Sequence, residues 1–343
     1  MLKEGKWSLI DTLLRWIIPL AISGLAVWFL LSSVDYISLV EAFRRVRIDI
    51  LIWSSLISFC ALLFRVWCWY LLLQKQFSSK RVFFVMNAGY LLNNVFPFRL
   101  GEVGRAIILG GVGGSGPGIL EVFSSIVVER VYDVALAAVF FLGTLSLVLV
   151  EESTRFFVLI LLGLVLVTFL VLTLLSCNRQ KINRWLLSQR DRRHWLANWA
   201  APKLDAILKG FVVLTNPLLF FESFGLLVIS WLLAFLQQFI ILRALIPDAP
   251  FWWVIFILGA GALGMALPSA PAGLGIFEAS VVGAFLLINV DYATALAYAL
   301  IVHSMQFTYS SILGVIGLIT EGQSVRGLYR RAKMQKQDEK QVL

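Results

Sequence analysis

The sequence predicts an all-α polytopic membrane protein: about six full transmembrane helices plus two re-entrant helical hairpins, arranged as an inverted-topology repeat. Three observations lead there. The chain is 60% hydrophobic and 14% charged, with mean hydropathy +0.88, which is not the make-up of a soluble globular protein. Apolar runs recur along its whole length, so the membrane is crossed many times. Two of those runs are interrupted by polar, Pro- and Gly-bearing breaks, at 93–105 and 267–278. Paired breaks in corresponding halves of a membrane protein point to a binding site near the bilayer midplane.

Taken in order, the first apolar run, 13–31, is longer than a signal-peptide core. No convincing small-residue cleavage site follows it, so it reads as a retained span. In 34–48, Val34, Ile37, Val40 and Phe43 recur at helical spacing opposite Arg44, Arg45 and Arg47, the pattern of a helix lying flat on the membrane. The second span, 50–73, contains Arg65 and ends in Trp67, Trp69 and Tyr70, an interfacial aromatic belt. Segments 82–96 and 102–109 are each too short to cross about 30 Å of hydrocarbon, which takes roughly 20 residues. They form an inner hairpin, 82–109, that the full spans must wrap, because broken backbone at depth needs protein or a wet cavity around it.

The Gly-rich run 110–118 has no Lys-Ser/Thr ending and no preceding strand, so it is a connector and not a nucleotide loop. Spans three and four are 123–150 and 156–176. The basic segment 178–210, with Trp185, Trp195 and Trp199, is a cytoplasmic linker by the positive-inside rule. The fifth span is 218–242, segments 251–267 and 275–289 make an outer hairpin (251–289), and 293–319 returns inward to a basic tail, 322–343. Counting from the linker places both termini in the cytoplasm, and puts Arg44, Arg45 and Arg47 outside. Residues 50–150 and 218–319 then form two repeats of opposite orientation within one integral membrane domain, 1–343. The net charge of +9 reflects inner loops and attraction to anionic headgroups, not nucleic-acid binding. Cys60, Cys68 and Cys177 give no disulfide framework.

A charge at the centre of a span costs at least about 2.5–3.5 kcal/mol, so each needs a partner or a task. Arg65, Arg99, Arg105, Arg130 and Arg243 face Glu102, Glu129, Asp133, Glu222 and Glu278. Glu222 and Arg243 lie near span ends, where long side chains reach water. Glu129 and Asp133 share a helical face and can pair with Arg65 or Arg130; with His303 these make an intramembrane charge network. His303 alone reads either as a hydrogen-bonded structural side chain or as a proton carrier, and Gln306 shares its face. Glu102 and Glu278 each open a short helix, where an acid meets the positive dipole end. Arg99 stands in the first break itself. Backbone N–H groups, a helix N-terminus and a guanidinium converge there, a combination suited to phosphate. The candidate lipid- or phosphate-binding set is therefore Arg99, Asn93, Asn94, Gly101, Glu102, Arg105, Gly273, Gly275 and Glu278, with Pro97, Pro268 and Pro271 breaking the helices. No catalytic residue, metal site or cofactor is expected.

Three motifs then carry a resemblance: Asn93-Asn94-x-x-Pro97-x-Arg99-x-Gly101-Glu102-x-x-Arg105; Glu129-Arg130-x-x-Asp133; and Leu267-Pro268-x-x-Pro271-x-Gly273-Leu274-Gly275-x-Phe277-Glu278. In this order they resemble the lysylphosphatidylglycerol synthase transmembrane region, a family also described as flippase-like integral membrane proteins, over nearly the whole chain. In the two-part synthases of that family the membrane domain is taken to move an aminoacylated lipid outward, and a separate soluble domain makes it. Only a short tail follows position 319 here, so synthase activity is expected to be absent. Ala272 stands where the family pattern has glycine, which argues against an unusual backbone angle there but not against the break. The expected function is a translocase, in the cytoplasmic membrane, for an anionic or modified (glyco)phospholipid. The alternatives are a membrane enzyme that transfers a group to a lipid-linked substrate through Glu102, Glu129, Asp133 and His303, or a non-transporting partner of a lipid-modifying enzyme. Membrane lipids, anionic phospholipids foremost, are the expected partners.

Overall fold

The computed structural model describes residues 21, 23–32, 34–96, 100–110, 117–148, 152–188, 201–265, 270–323 and 327. Every regular element among them is helical. In chain order these are α1, described over Ser23–Ser32, α2 (Tyr36–Arg45), α3 (Ile48–Leu72), α4 (Ser79–Val95), α5 (Leu100–Gly110), α6 (Ile119–Val148), α7 (Glu152–Cys177), α8 (Arg179–Ser188), α9 (Ala201–Gly210), α10 (Pro217–Leu245), α11 (Phe251–Gly264), α12 (Ile276–Leu287) and α13 (Tyr292–Thr320).

Among the described residues, α3, α10 and α13 are long and apolar enough to cross a bilayer, against the six or so spans expected. Two further helices have the length: α6 with 30 residues and α7 with 26. The first of these carries Glu129, Arg130 and Asp133 inside it. The expected first span is described only from Ser23, and α2 leaves that helix at 95°. Outward faces are apolar: Trp53 and Leu56 on α3, Leu166 and Leu170 on α7, Leu232 on α10 and Ile312 and Ile319 on α13 are all exposed. Such a belt is solvated by lipid tails.

Local chemistry sets the helix ends. Ser78 accepts from the Arg81 N–H at the start of α4, Asn216 from Leu218 and Leu219 N–H at α10, and Asp291 from Thr294 N–H at α13, each satisfying donors that a helix start leaves open. In α2, Asp35 accepts from Ile37 and Ser38 N–H. Leu39 and Ala42 of α2 face the protein while Ile37, Val40 and Phe43 are exposed.

The packing is swapped between the two halves. α3 lies along α10, with the Ser230 hydroxyl donating to the Ala61 carbonyl at 2.9 Å. α4 and α5 fold on each other as a hairpin, and so do α11 and α12. The first helix of each hairpin packs against the last long helix of the other half: α4 on α13, and α11 on α6. The α4–α13 contact is close because α13 is small there. A Cβ at Gly317 would fall on the Phe84 carbonyl oxygen of α4, the close approach that small residues allow between membrane helices.

One expectation is revised. The linker 178–210 is not wholly aqueous where it is described. α9 packs on α6, Leu208 is buried, and Gly210 sits against Ser124. The 3-10 turn Phe211–Thr215 that follows is buried through Phe211, Val213 and Leu214. The charged part of this region is tied down as well, since Arg179 grips Asp205 through Nε at 2.7 Å and Nη2 at 3.2 Å.

Candidate functional site

The first hairpin is built on two glycines and an amide. A Cβ at Gly101 would fall on the Gly89 carbonyl oxygen, so only glycine lets α5 lie this close to α4. The Asn93 side-chain oxygen then accepts from the Gly101 N–H at 2.8 Å, capping α5 from the neighbouring helix. This corrects one part of the phosphate expectation: the Gly101 N–H is engaged by Asn93 and is not available to a ligand. Asn94 reaches the other way, donating to Ser310 and Ser311 hydroxyls at 2.9 Å each and tying α4 to α13.

Behind the hairpin lies the charge network. Arg65 grips Asp133 with both terminal nitrogens, at 2.8 and 2.7 Å, and reaches Glu129 at 3.2 Å. Arg130 donates to Glu129 at 2.7 Å, lies 3.2 Å from Asp133, and has Glu102 at 3.6 Å. Arg105 bonds the second Glu129 oxygen at 3.1 Å and stacks on Trp69, 4.5 Å from the ring centroid. Trp231 of α10 donates to Asp133 at 3.1 Å. Three guanidinium groups and three carboxylates thus neutralise one another. Glu129, fully buried at the hub, is met by all three arginines. Bidentate and charge-assisted bonds are what make such a cluster tolerable in an apolar surrounding.

Next to this network is a cavity of about 350 Å³. Arg65, Arg130 and Asp133 form part of its wall, with Tyr90, Asn93 and Asn94 from α4, Gln237 and Gln238 from α10, and His303 and Tyr309 from α13. The second break completes it through Ala270, Ala272 and Gly273. Its volume falls in the range of about 300–1,000 Å³ usual for small-molecule pockets.

The second break is held by a chain of three contacts. The Gly275 N–H donates to one Glu278 oxygen at 2.7 Å. The other oxygen meets His303 Nδ1 at 2.5 Å, and His303 Nε2 meets the Ala272 carbonyl at 3.1 Å. The backbone turns left-handed at Ala272 (φ 61°), Gly273 (φ 79°) and Gly275 (φ 83°). The alanine therefore keeps the unusual backbone angle that its side chain argues against. A left-handed alanine costs about 1–2 kcal/mol, and His303 on its carbonyl is part of what holds it.

A family comparison agrees with the three motifs. The model of the Lysylphosphatidylglycerol synthase TM region matches residues 16–314. The chain belongs to that family. Comparison with curated proteins finds no match. Family membership and the apolar helices together make this a membrane protein related to lipid modification or flippase-like proteins.

Of the residues singled out from sequence, Asn93, Asn94 and Gly273 reach the cavity wall, as do Arg65, Arg130, Asp133 and His303 of the charge set. Glu102 and Arg105 instead belong to the buried network. Gly275 and Glu278 shape the break, and His303 pairs with Glu278 rather than with the arginines. Arg99, Pro97 and Pro268 lie outside the described residues, and Pro271 opens the 3-10 turn Pro271–Gly273. Sequence reasoning passed over Tyr90, Trp231, Gln237, Gln238 and Tyr309. The adjacent pair Gln237-Gln238 inside the apolar run of α10 was the available signal.

Proposed function

We propose that this chain is a flippase-like translocase for an anionic or otherwise modified phospholipid, acting in the cytoplasmic membrane as a carrier and not as an enzyme. The observation that carries this reading is the cavity. Its polar wall is drawn from both halves of the chain, and Arg65, Gln237 and His303 lie well inside long apolar helices. Burying that many polar groups in a membrane is costly, and they mark a substrate path by default. A space of this size takes a headgroup and leaves acyl chains in the surrounding lipid. The side chains of Arg65 and Arg130 are 19% and 27% exposed, against 2% for Arg105, so these are the guanidinium groups positioned to meet a phosphate. Arg99, in the first break, is the further cation that the sequence offers. Asn94, Tyr90 and Gln237 supply hydrogen bonds for the rest of the headgroup.

The exchanged packing supports an inverted-topology repeat with one hairpin entering from each side: α4 on α13 matches α11 on α6, and α3 lies on α10. Such pairs give a carrier two alternative openings around one central site. In this reading both termini and 178–210 are cytoplasmic, and a lipid-modifying enzyme is the natural supplier of the substrate.

The test is native mass spectrometry of gently purified protein, followed by titration of delipidated protein with phosphatidylglycerol. A retained phosphate-bearing lipid, with affinity weakened at least tenfold by Arg130→Gln in protein shown to stay folded despite the lost bonds to Glu129 and Asp133, supports the carrier. Saturable binding that Arg130→Gln leaves unchanged would place the headgroup elsewhere. Protein that holds no lipid but co-purifies with a lipid-modifying enzyme would favour a partner role.

A further inference from the structure

The contact chain at the second break counts protons. A carbonyl oxygen only accepts, so the 3.1 Å contact between His303 Nε2 and the Ala272 carbonyl requires a proton on Nε2. The contact between Nδ1 and the Glu278 carboxyl requires a second proton, whichever atom carries it. The Gly275 N–H already occupies the other carboxyl oxygen. As arranged, the pair holds two protons and is neutral overall, either as imidazolium with carboxylate or as imidazole with carboxylic acid. Remove one proton and a lone pair must face a lone pair, at the carboxylate or at the Ala272 carbonyl. The first leaves the buried acid opposed by its partner. The second releases the left-handed turn.

The location gives this an effect. His303, Ala272 and Gly273 all line the cavity, so the proton count of the pair bears directly on the wall that a headgroup touches. The ionisable groups around His303 can be named element by element. α12 supplies Glu278, α13 Tyr309, α4 Tyr90, α3 Arg65, and α6 Arg130 and Asp133. The last three are bonded to one another. α10 faces the cavity with neutral Gln237 and Gln238. On α2, which packs on α13, Glu41, Arg44 and Arg45 are exposed, and the described part of α1 carries no charge.

We propose that Glu278 and His303 form a proton-binding site linked to headgroup occupancy, so that the carrier takes up an anionic headgroup and a proton together. This rests on the carrier reading above. An anion in the cavity favours keeping the proton on the pair. By reciprocity the proton favours the anion, and departure of either releases the left-handed turn at Ala272. The proton gradient then drives or gates transport.

The experiment is calorimetric titration of the purified, delipidated full chain with short-chain phosphatidylglycerol, in buffers of different ionisation enthalpy at neutral pH. The phosphodiester does not itself titrate there, so proton uptake reports the protein. Binding accompanied by uptake of up to a single proton per lipid supports the proposal, provided the uptake is lost in His303→Gln combined with Glu278→Gln. The amide at position 303 can still donate to Ala272, and neither amide titrates. Wild-type binding with no buffer dependence overturns the proposal and leaves the carrier reading standing. Uptake that survives His303→Gln combined with Glu278→Gln overturns it too, by assigning the proton elsewhere. No binding of phosphatidylglycerol by wild type overturns both. The wild-type measurement needs no variant, so a His303 variant that misfolds does not spoil the test.

Discussion

Among the residues, Ala272 and the Arg65–Asp133 pair carry the sharpest consequences. Ala272 holds φ 61°, an angle that glycine adopts without steric cost. Ala272→Gly should therefore raise stability by up to about 1 kcal/mol, read as a higher melting temperature in detergent, while Ala272→Val should lower it. Arg65 and Asp133 are bonded at 2.7 Å in a nearly closed surrounding. Removing either leaves its partner without its strongest bond, at a cost of up to about 3–5 kcal/mol. Arg65→Gln combined with Asp133→Asn should cost clearly less than the two single losses added together. Additive losses would mean that the pair does not interact. The sequence made the charges legible, because a charge in an apolar run is conspicuous. It could not say which charges meet. Arg65 is 64 positions from Glu129 and 68 from Asp133, and His303 pairs with Glu278 across a break, so only the fold decides the pairing.

At the scale of elements, most helix limits were readable, since Pro, Gly and short apolar runs act locally. The end of the linker was not. Its lysines and arginines announce water, yet Leu208 and Phe211 reach the core against α6 and α7. The first hairpin depends on contact between α4 and α5, and Gly101→Ala should separate them because the added methyl meets the Gly89 carbonyl. Asn93→Ala should cost about 1 kcal/mol by removing the cap on α5. Loss of thermal stability in Gly101→Ala well beyond that of Asn93→Ala is the expected order. Between α8 and α9, the bond from Arg179 holds the Asp205 carboxyl below its usual range. Its contribution is present above the unfolded carboxyl pKa and fades as pH falls through the lower folded value. Asp205→Asn should flatten the acid limb of the stability profile.

For the whole molecule, residues from 58–137 and from 230–310 line one polar cavity. If the repeat is inverted, single cysteines put in place of Lys80 and of Ser115 should both react with an impermeant reagent added from inside. The direct measurement of transport is the rate at which labelled phosphatidylglycerol crosses the bilayer of proteoliposomes, read by bleaching the outer leaflet, with and without an imposed pH gradient. Passage should be faster than in protein-free vesicles and slowed at least tenfold by Arg130→Gln. Passage no faster than in empty vesicles, from protein shown to be folded, would contradict the carrier reading.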